Sequence, residues 1–210
     1  MRLPPHPAVS WIPFLGLLGL AAPAAPAAEE EPPPRFLAEP PPQPVHYHHN
    51  RITLTTDTLE TGWAKLYQCH TNMDNLGATQ IVFTAGRIRG LTVVHAQNIE
   101  QARVEGPSVQ LDGVKEGAEV CIRGETRLLE HQGEQVVVRN GPFMRRLFDS
   151  YFPMHVTLEI HFPADHLSYL GVSPSPQPGL SVTPHPGRVE VDAWFEGVLS
   201  TEIRFRPSGS

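Results

Sequence analysis

A chain of 210 residues with 23 prolines is a poor candidate for long helices, because proline interrupts the helical hydrogen-bond ladder. Sixteen Lys plus Arg against 22 Asp plus Glu give a net charge of −6, which offers no electrostatic basis for holding nucleic acid or an anionic membrane surface. With residues 1–44 set aside, about 165 residues remain, enough for one domain with an ordinary core.

Residues 1–27 have the layout of a secretory signal. Arg2 supplies the positive start, residues 9–22 (VSWIPFLGLLGLAA) an apolar run, and Ala25-Pro26-Ala27 a small-residue cleavage site, with Ala22-Pro23-Ala24 as a competitor. The run is shorter than the roughly 20 apolar residues that span a bilayer. The expectation is a cleaved leader with no transmembrane anchor left behind, and a mature chain that is periplasmic or secreted. Residues 28–44, which include EEEPPPRFLAEPPPQP, cannot build a core and read as a disordered, partly polyproline linker.

From residue 45 to 208 the pattern becomes short alternating stretches separated by turn residues. Residues 51–55 alternate, residues 80–83 and 88–94 are apolar and β-branched, and residues 104 and 108–112 flank a Glu105-Gly106-Pro107 turn. Residues 119–123 and 134–139 follow, then residues 155–162 (HVTLEIHF), the cleanest period-2 segment of the chain. Residues 188–195 and 199–206 read as a terminal pair joined near Glu196-Gly197. Between them and the preceding strand lies a proline-rich stretch, residues 163–187, in which residues 179–182 suggest an extra edge strand. The spacing predicts an all-β domain, an antiparallel β-sandwich or barrel-like fold. One short helix is expected over residues 142–151, started by Gly141-Pro142.

Two cysteines, Cys69 and Cys121, are an even count in an exported chain, and a disulfide between them is expected. The local alternation turns Val120 and Ile122 toward the core and puts Cys121 on the opposite face with Glu119 and Arg123. There is no C-x-x-C, so thioredoxin-like chemistry lacks its motif.

Eleven histidines is many for this length. In an extended chain His46 and His48 share a face about 6.6 Å apart, while His49 points away from them. His70 is the natural third member and Met73 lies nearby. Imidazole with thioether suits copper, so His46, His48, His70 and Met73 form the candidate metal set; the plainer expectation is surface histidines beside a linker. His155 and His161 are about 20 Å apart on one strand face and cannot share an ion. They are expected to line a solvated face with Thr157 and Glu159.

Residues 140–154 (NGPFMRRLFDSYFPM) concentrate the residue types enriched at protein interfaces. Phe143, Arg145, Arg146, Tyr151 and Phe152 are the candidate partner-binding set, and the i, i+4, i+8 spacing of Phe143, Leu147 and Tyr151 suits either a docking helix or a plug on the core. No hydrolase, metalloprotease, phosphate-loop or dinucleotide motif is present. The sequence therefore points to a non-enzymatic protein of the cell envelope that acts through a protein partner, with copper binding as the alternative.

Overall fold

The computed structural model describes residues 31–208. The expected signal, residues 1–27, lies outside the described residues, as do the first positions of the linker. In chain order the elements are β1 (Arg35–Phe36), β2 (His46–Thr53), α1 (Thr56–Thr61), β3 (Trp63–Thr71), β4 (Ala78–Val82), β5 (Ile88–Glu105) and β6 (Ser108–Arg127). Then come β7 (Leu129–Gln132), β8 (Gln135–Phe143), β9 (Arg146–Leu147), β10 (Ser150–Tyr151) and β11 (Met154–His161). The chain ends in β12 (Leu167–Ser173), β13 (Leu180–His185), β14 (Arg188–Glu196) and β15 (Leu199–Pro207).

The fold is mostly β, in more than one sheet, and is not a closed barrel. The large sheet runs β1-β14-β11-β2-β3-β6-β4, with β13 added to β14 and β5 to β6; the smaller sheet runs β12-β15-β8-β7. One core joins the two sheets. Alternation builds it: Val189, Val191, Ala193 and Phe195 point inward from β14, and Leu199, Ile203 and Phe205 from β15. A second apolar cluster lies along β6, where Val109, Leu111, Val114 and Val120 pack with Met73.

The pairing is not wholly antiparallel. β2 and β11 run parallel, with His48 opposite Val156 and Asn50 opposite Leu158. This leaves β2 in the interior of the sheet, between β11 and β3. β14 and β15 are consecutive but are not partners: β14 pairs with β11, β13 and β1, and β15 with β8 and β12. The chain changes sheet at Gly197, whose φ of 96° and whose absent side chain admit the Pro33 carbonyl to 2.7 Å from where a Cβ would stand. The expected linker is thus partly built in: Arg35 and Phe36 pair with Glu196 and Phe195, and Val198 donates to the Pro32 carbonyl. The edge strand expected over residues 179–182 is present as β13.

Among the described residues, the one helix is not where the spacing put it. Thr55 caps α1 in a reciprocal capping box with Thr58, and Gly62 ends it in the left-handed region. Residues 142–151 form instead the end of β8 and the hairpin β9–β10, closed by a two-residue turn at Phe148-Asp149. A helix of that length is marginal on its own. Phe143 is drawn into the core from β8, which leaves no amphipathic face to hold such a helix together.

Cys69 and Cys121 stand opposite each other on β3 and β6 and are joined, with Cα atoms 4.1 Å apart. Cys121 does share its face with Glu119, but that face is not open there: Val120, Cys121 and Ile122 are all buried. No helix among the described residues is long and apolar enough to cross a membrane.

Candidate functional site

On β2 and β3 the inner face changes character along the strands. Ile52 and Leu66 face each other within the core. One step on, the opposed pair is Asn50 and Gln68, then His48 and His70, with His46 beyond. The core therefore gives way to a polar end, and a cleft of about 780 Å³ opens there, bounded on the other sheet by the Arg139–Phe143 end of β8. His48, Asn50, Gln68 and His70 are all buried.

The three histidines predicted as a set do come together. His46 Nε2 lies 2.9 Å from His70 Nδ1, and the Gln68 amide nitrogen lies 3.0 Å from His70 Nε2. With Gln68 as donor, His70 accepts at Nε2, carries its proton at Nδ1 and donates to His46. His48 stacks on His70 with ring centroids 4.1 Å apart, and the edge of Phe143 meets His48 at 5.3 Å. Burial holds all three imidazoles neutral. It lowers His46 from 6.5 to about 4 and His48 to about 3, and takes His70 well below its ordinary value, with mutual repulsion adding to the effect at His48 and His70.

Among the described residues, three buried side-chain atoms have no hydrogen-bond partner: His48 Nε2, Asn50 Oδ1 and Asn140 Nδ2. All three residues line this one cleft. Asn50 continues the His46–His48 alternation by one more step, so period-2 reasoning had the means to include it. Gln68 and Asn140 had no such signal, because their place depends on which strands pair.

Met73 lies in the second apolar cluster and borders a smaller cleft of about 100 Å³ that His46 also lines. Asp74 and Arg145 form an ion pair there, and Arg145 also donates to the Pro153 carbonyl at 3.1 Å. Among the described residues, the one group of three His, Cys, Asp or Glu ligands whose donor atoms all lie within 4.8 Å is Cys69, Glu119 and Cys121, whose sulfurs are spent on the disulfide. The histidine trio is arranged differently: its rings stack or bond to one another, and both His70 nitrogens and His46 Nε2 are engaged.

The candidate partner segment divides. Phe143 is core. Arg145 is half-sequestered by Asp74 and lies over the Phe152 ring at 5.7 Å; Arg146 lies over Tyr151 at 5.6 Å. Among the described residues, the most exposed aromatic is one the spacing did not single out: Phe148, 94% exposed at the hairpin tip with φ 54°.

His155 and His161 are on the outer face of the large sheet, away from the trio. That face is less solvated than expected. His155 is sandwiched between Trp194 and Tyr47 and bonds Asp192 at 2.8 Å. Thr157 and Glu159 are buried beneath neighbouring side chains. Burial pushes the Glu159 carboxyl up, but hydrogen bonds from His161, His49 and Arg51 outweigh it and bring it to about 2.

No protein-family model matches this chain, and none of the curated proteins matches it.

Proposed function

We propose that this is an exported, non-enzymatic binding protein that takes a small polar molecule into the cleft lined by His48, Asn50, His70 and Asn140. We read the two sheets around one core as a β-sandwich whose polar end is the binding site. The carrying observation is that three buried, unpartnered polar atoms converge on one cleft of a size that suits a small ligand. Each such atom is costly to the folded state unless something fills its valence. The low proton affinity of the histidines supports binding over acid–base catalysis, since an effective general base has a pKa near the working pH. The Cys69–Cys121 bond supports an oxidising compartment, in keeping with a periplasmic or secreted mature chain.

The test is a titration of isotopically labelled protein with neutral and charged sugars, amino acids and dipeptides, read on the imidazole resonances of His48 and His70. A binder should move both, and should lose its effect in Asn50→Leu. If no compound moves either resonance at millimolar concentration, the cleft is not a binding site.

A second reading keeps the envelope protein partner. It is favoured by Phe148, which stands almost fully in solvent beside Arg146 and Tyr151 in a hairpin rich in interface residues. Copper remains the alternative use of the histidines. Neutral imidazoles are the form that binds metal, but an ion would first have to break the His46–His70 hydrogen bond, so the resting arrangement does not fit one.

A further inference from the structure

The disulfide sits in a row of metal-ligating residue types on the outer face of the large sheet. The pairing sets Cys69 of β3 opposite Cys121 of β6, with His49 of β2 opposite Cys69 and His95 of β5 opposite Cys121. Paired residues share a face, and this row lies on the face opposite to His70, whose partners in the next row are His48 and Val120. His49 is held from the other side by Glu159 at 2.8 Å, whereas His95 is exposed on the edge strand. Glu119 precedes Cys121 by two residues, so alternation returns it to the same face, and its Oε1 lies 3.7 Å from Cys121 Sγ. A bridged sulfur has no proton to donate, so this carboxylate gains no hydrogen bond there while the bridge is closed. The donor atoms of Cys69, Glu119 and Cys121 all lie within 4.8 Å of one another. Ligand atoms on one tetrahedral zinc stand roughly 3.5 to 3.8 Å apart, given bonds of about 2.0 Å to oxygen and about 2.3 Å to sulfur. Glu119 is already at that separation from Cys121. Directly opposed strand residues have Cβ atoms about 4.5 to 5.5 Å apart, so the two sulfurs can part to the same distance without moving the strands.

We infer that Cys69, Cys121, Glu119 and His95 form a latent zinc site, closed as a disulfide at rest and opened by a dithiol reductant. Cys69 is half-buried while Cys121 is only 4% exposed, so the attacking thiolate reaches Cys69 Sγ and releases the Cys121 sulfur. The second thiol of the reductant then resolves the mixed disulfide. The reductant leaves as a disulfide, and two electrons and two protons have passed to the sulfurs of Cys69 and Cys121. A zinc ion displaces both thiol protons and binds the two thiolates. The Glu119 carboxylate is the third ligand, and the His95 imidazole, turned inward from the edge strand, is the fourth. Thiolate and imidazole select zinc over magnesium and calcium, which take oxygen ligands. Bridge and ion tie together the same two neighbouring strands, so β3 stays stapled to β6 in either state. The site is independent of the polar cleft and shares no residue with it.

The probe is cobalt(II), which takes zinc's place and shows thiolate ligation as a sulfur-to-metal charge-transfer absorption. The whole protein is reduced anaerobically with a water-soluble phosphine, freed of it, and titrated with cobalt and then zinc. The reduced protein should develop the absorption at one equivalent of cobalt and lose it on addition of zinc, while the oxidised protein shows none. Cys69→Ser should abolish it. Glu119→Gln and His95→Ala should each keep the absorption but weaken zinc binding about tenfold or more. Circular dichroism of the reduced protein, with and without zinc, follows the fold. A β spectrum kept, or regained on adding zinc, fits a site built by the paired strands. Equal zinc binding by oxidised and reduced protein would place the metal elsewhere and overturn the assignment. So would a reduced protein that binds no cobalt, or one whose zinc affinity is unchanged in both Glu119→Gln and His95→Ala, since the thiols would then act without the site around them.

Discussion

His48 lies flat against His70, the ring centroids 4.1 Å apart and the planes 20° from parallel, yet His70 has both nitrogens engaged while His48 Nε2 has no partner. The same stacking that packs the two rings makes it costly to charge either. Protonating one buried imidazole against the other is opposed both by desolvation and by like-charge repulsion.

That cost has a pH signature. The folded-state values of His46, His48 and His70 are depressed below 6.5, so between the folded and unfolded values the unfolded chain binds more protons. The stability the neutral trio contributes is complete above about pH 6.5 and is lost as pH falls toward the folded values near 4 and 3. Chemical denaturation should show a decline between pH 6.5 and 4.5, with a slope of up to about 1.4 kcal/mol per pH unit for each histidine involved. Glu159 adds a separate loss only below its ordinary 4.5. In His48→Gln the upper decline should become shallower. A stability curve that is level from pH 7 to 5 would show that the trio is not buried as a neutral cluster.

Copper is expected to leave the resting protein largely untouched at neutral pH, because His46 Nε2 and both His70 nitrogens are already hydrogen-bonded and the stacked pair cannot aim its lone pairs at one point. Elemental analysis of untagged protein, followed by a copper titration, checks this. One tightly held equivalent that disappears in the double variant His46→Ala, His48→Ala, but survives His155→Ala and His161→Ala, would establish the metal reading in place of the polar-ligand one.

The disulfide closes a loop between positions separated by 52 residues, and it does so between two strands that are already neighbours. In the chain-entropy account its removal costs about 4 kcal/mol, acting mainly through the unfolded state. The double variant Cys69→Ala, Cys121→Ala should therefore melt earlier but keep the spectrum of a folded β protein. Two alkylatable thiols in protein isolated from an oxidising compartment would contradict the pairing.

What the sequence made legible was local. Alternation located β11, β14 and β15 and caught the end of β2, an extended chain placed His46 and His48 on one face with His49 on the other, and the cysteine count anticipated the bridge. What it hid was pairing at a distance. Asn50 and Gln68 become a buried polar pair only because β2 docks on β3, and β2 is held on its other side by β11, more than a hundred residues away, in a parallel register that no turn motif announces. Asn140 reaches the cleft from the other sheet, so its role depends on how two sheets meet. The segment from Phe143 to Tyr151 misled for a related reason. Spacing of i, i+4, i+8 is equally consistent with a strand end and a hairpin once the core has claimed Phe143.

That segment gives the sharpest separation between packing and docking. Phe143 and Phe148 are five residues apart, yet one is buried against His48 and the other is almost wholly in solvent. Phe143→Ala should cost about 3 to 5 kcal/mol of stability, as a buried ring in a packed core does. Phe148→Ala should shift stability by no more than about 0.5 kcal/mol, since its side chain touches little. Phe148→Gly goes further: the residue sits at φ 54°, where a bulky side chain is strained and glycine is not, so this change should raise stability by about 1 kcal/mol. If Phe148 is the contact for an envelope partner, Phe148→Gly will be the more stable protein and the one that fails to hold that partner when cross-linked in the intact cell. If Phe148→Gly melts higher and its cross-linking pattern matches that of the unaltered protein, the hairpin tip is not the docking surface and the protein-partner reading falls with it.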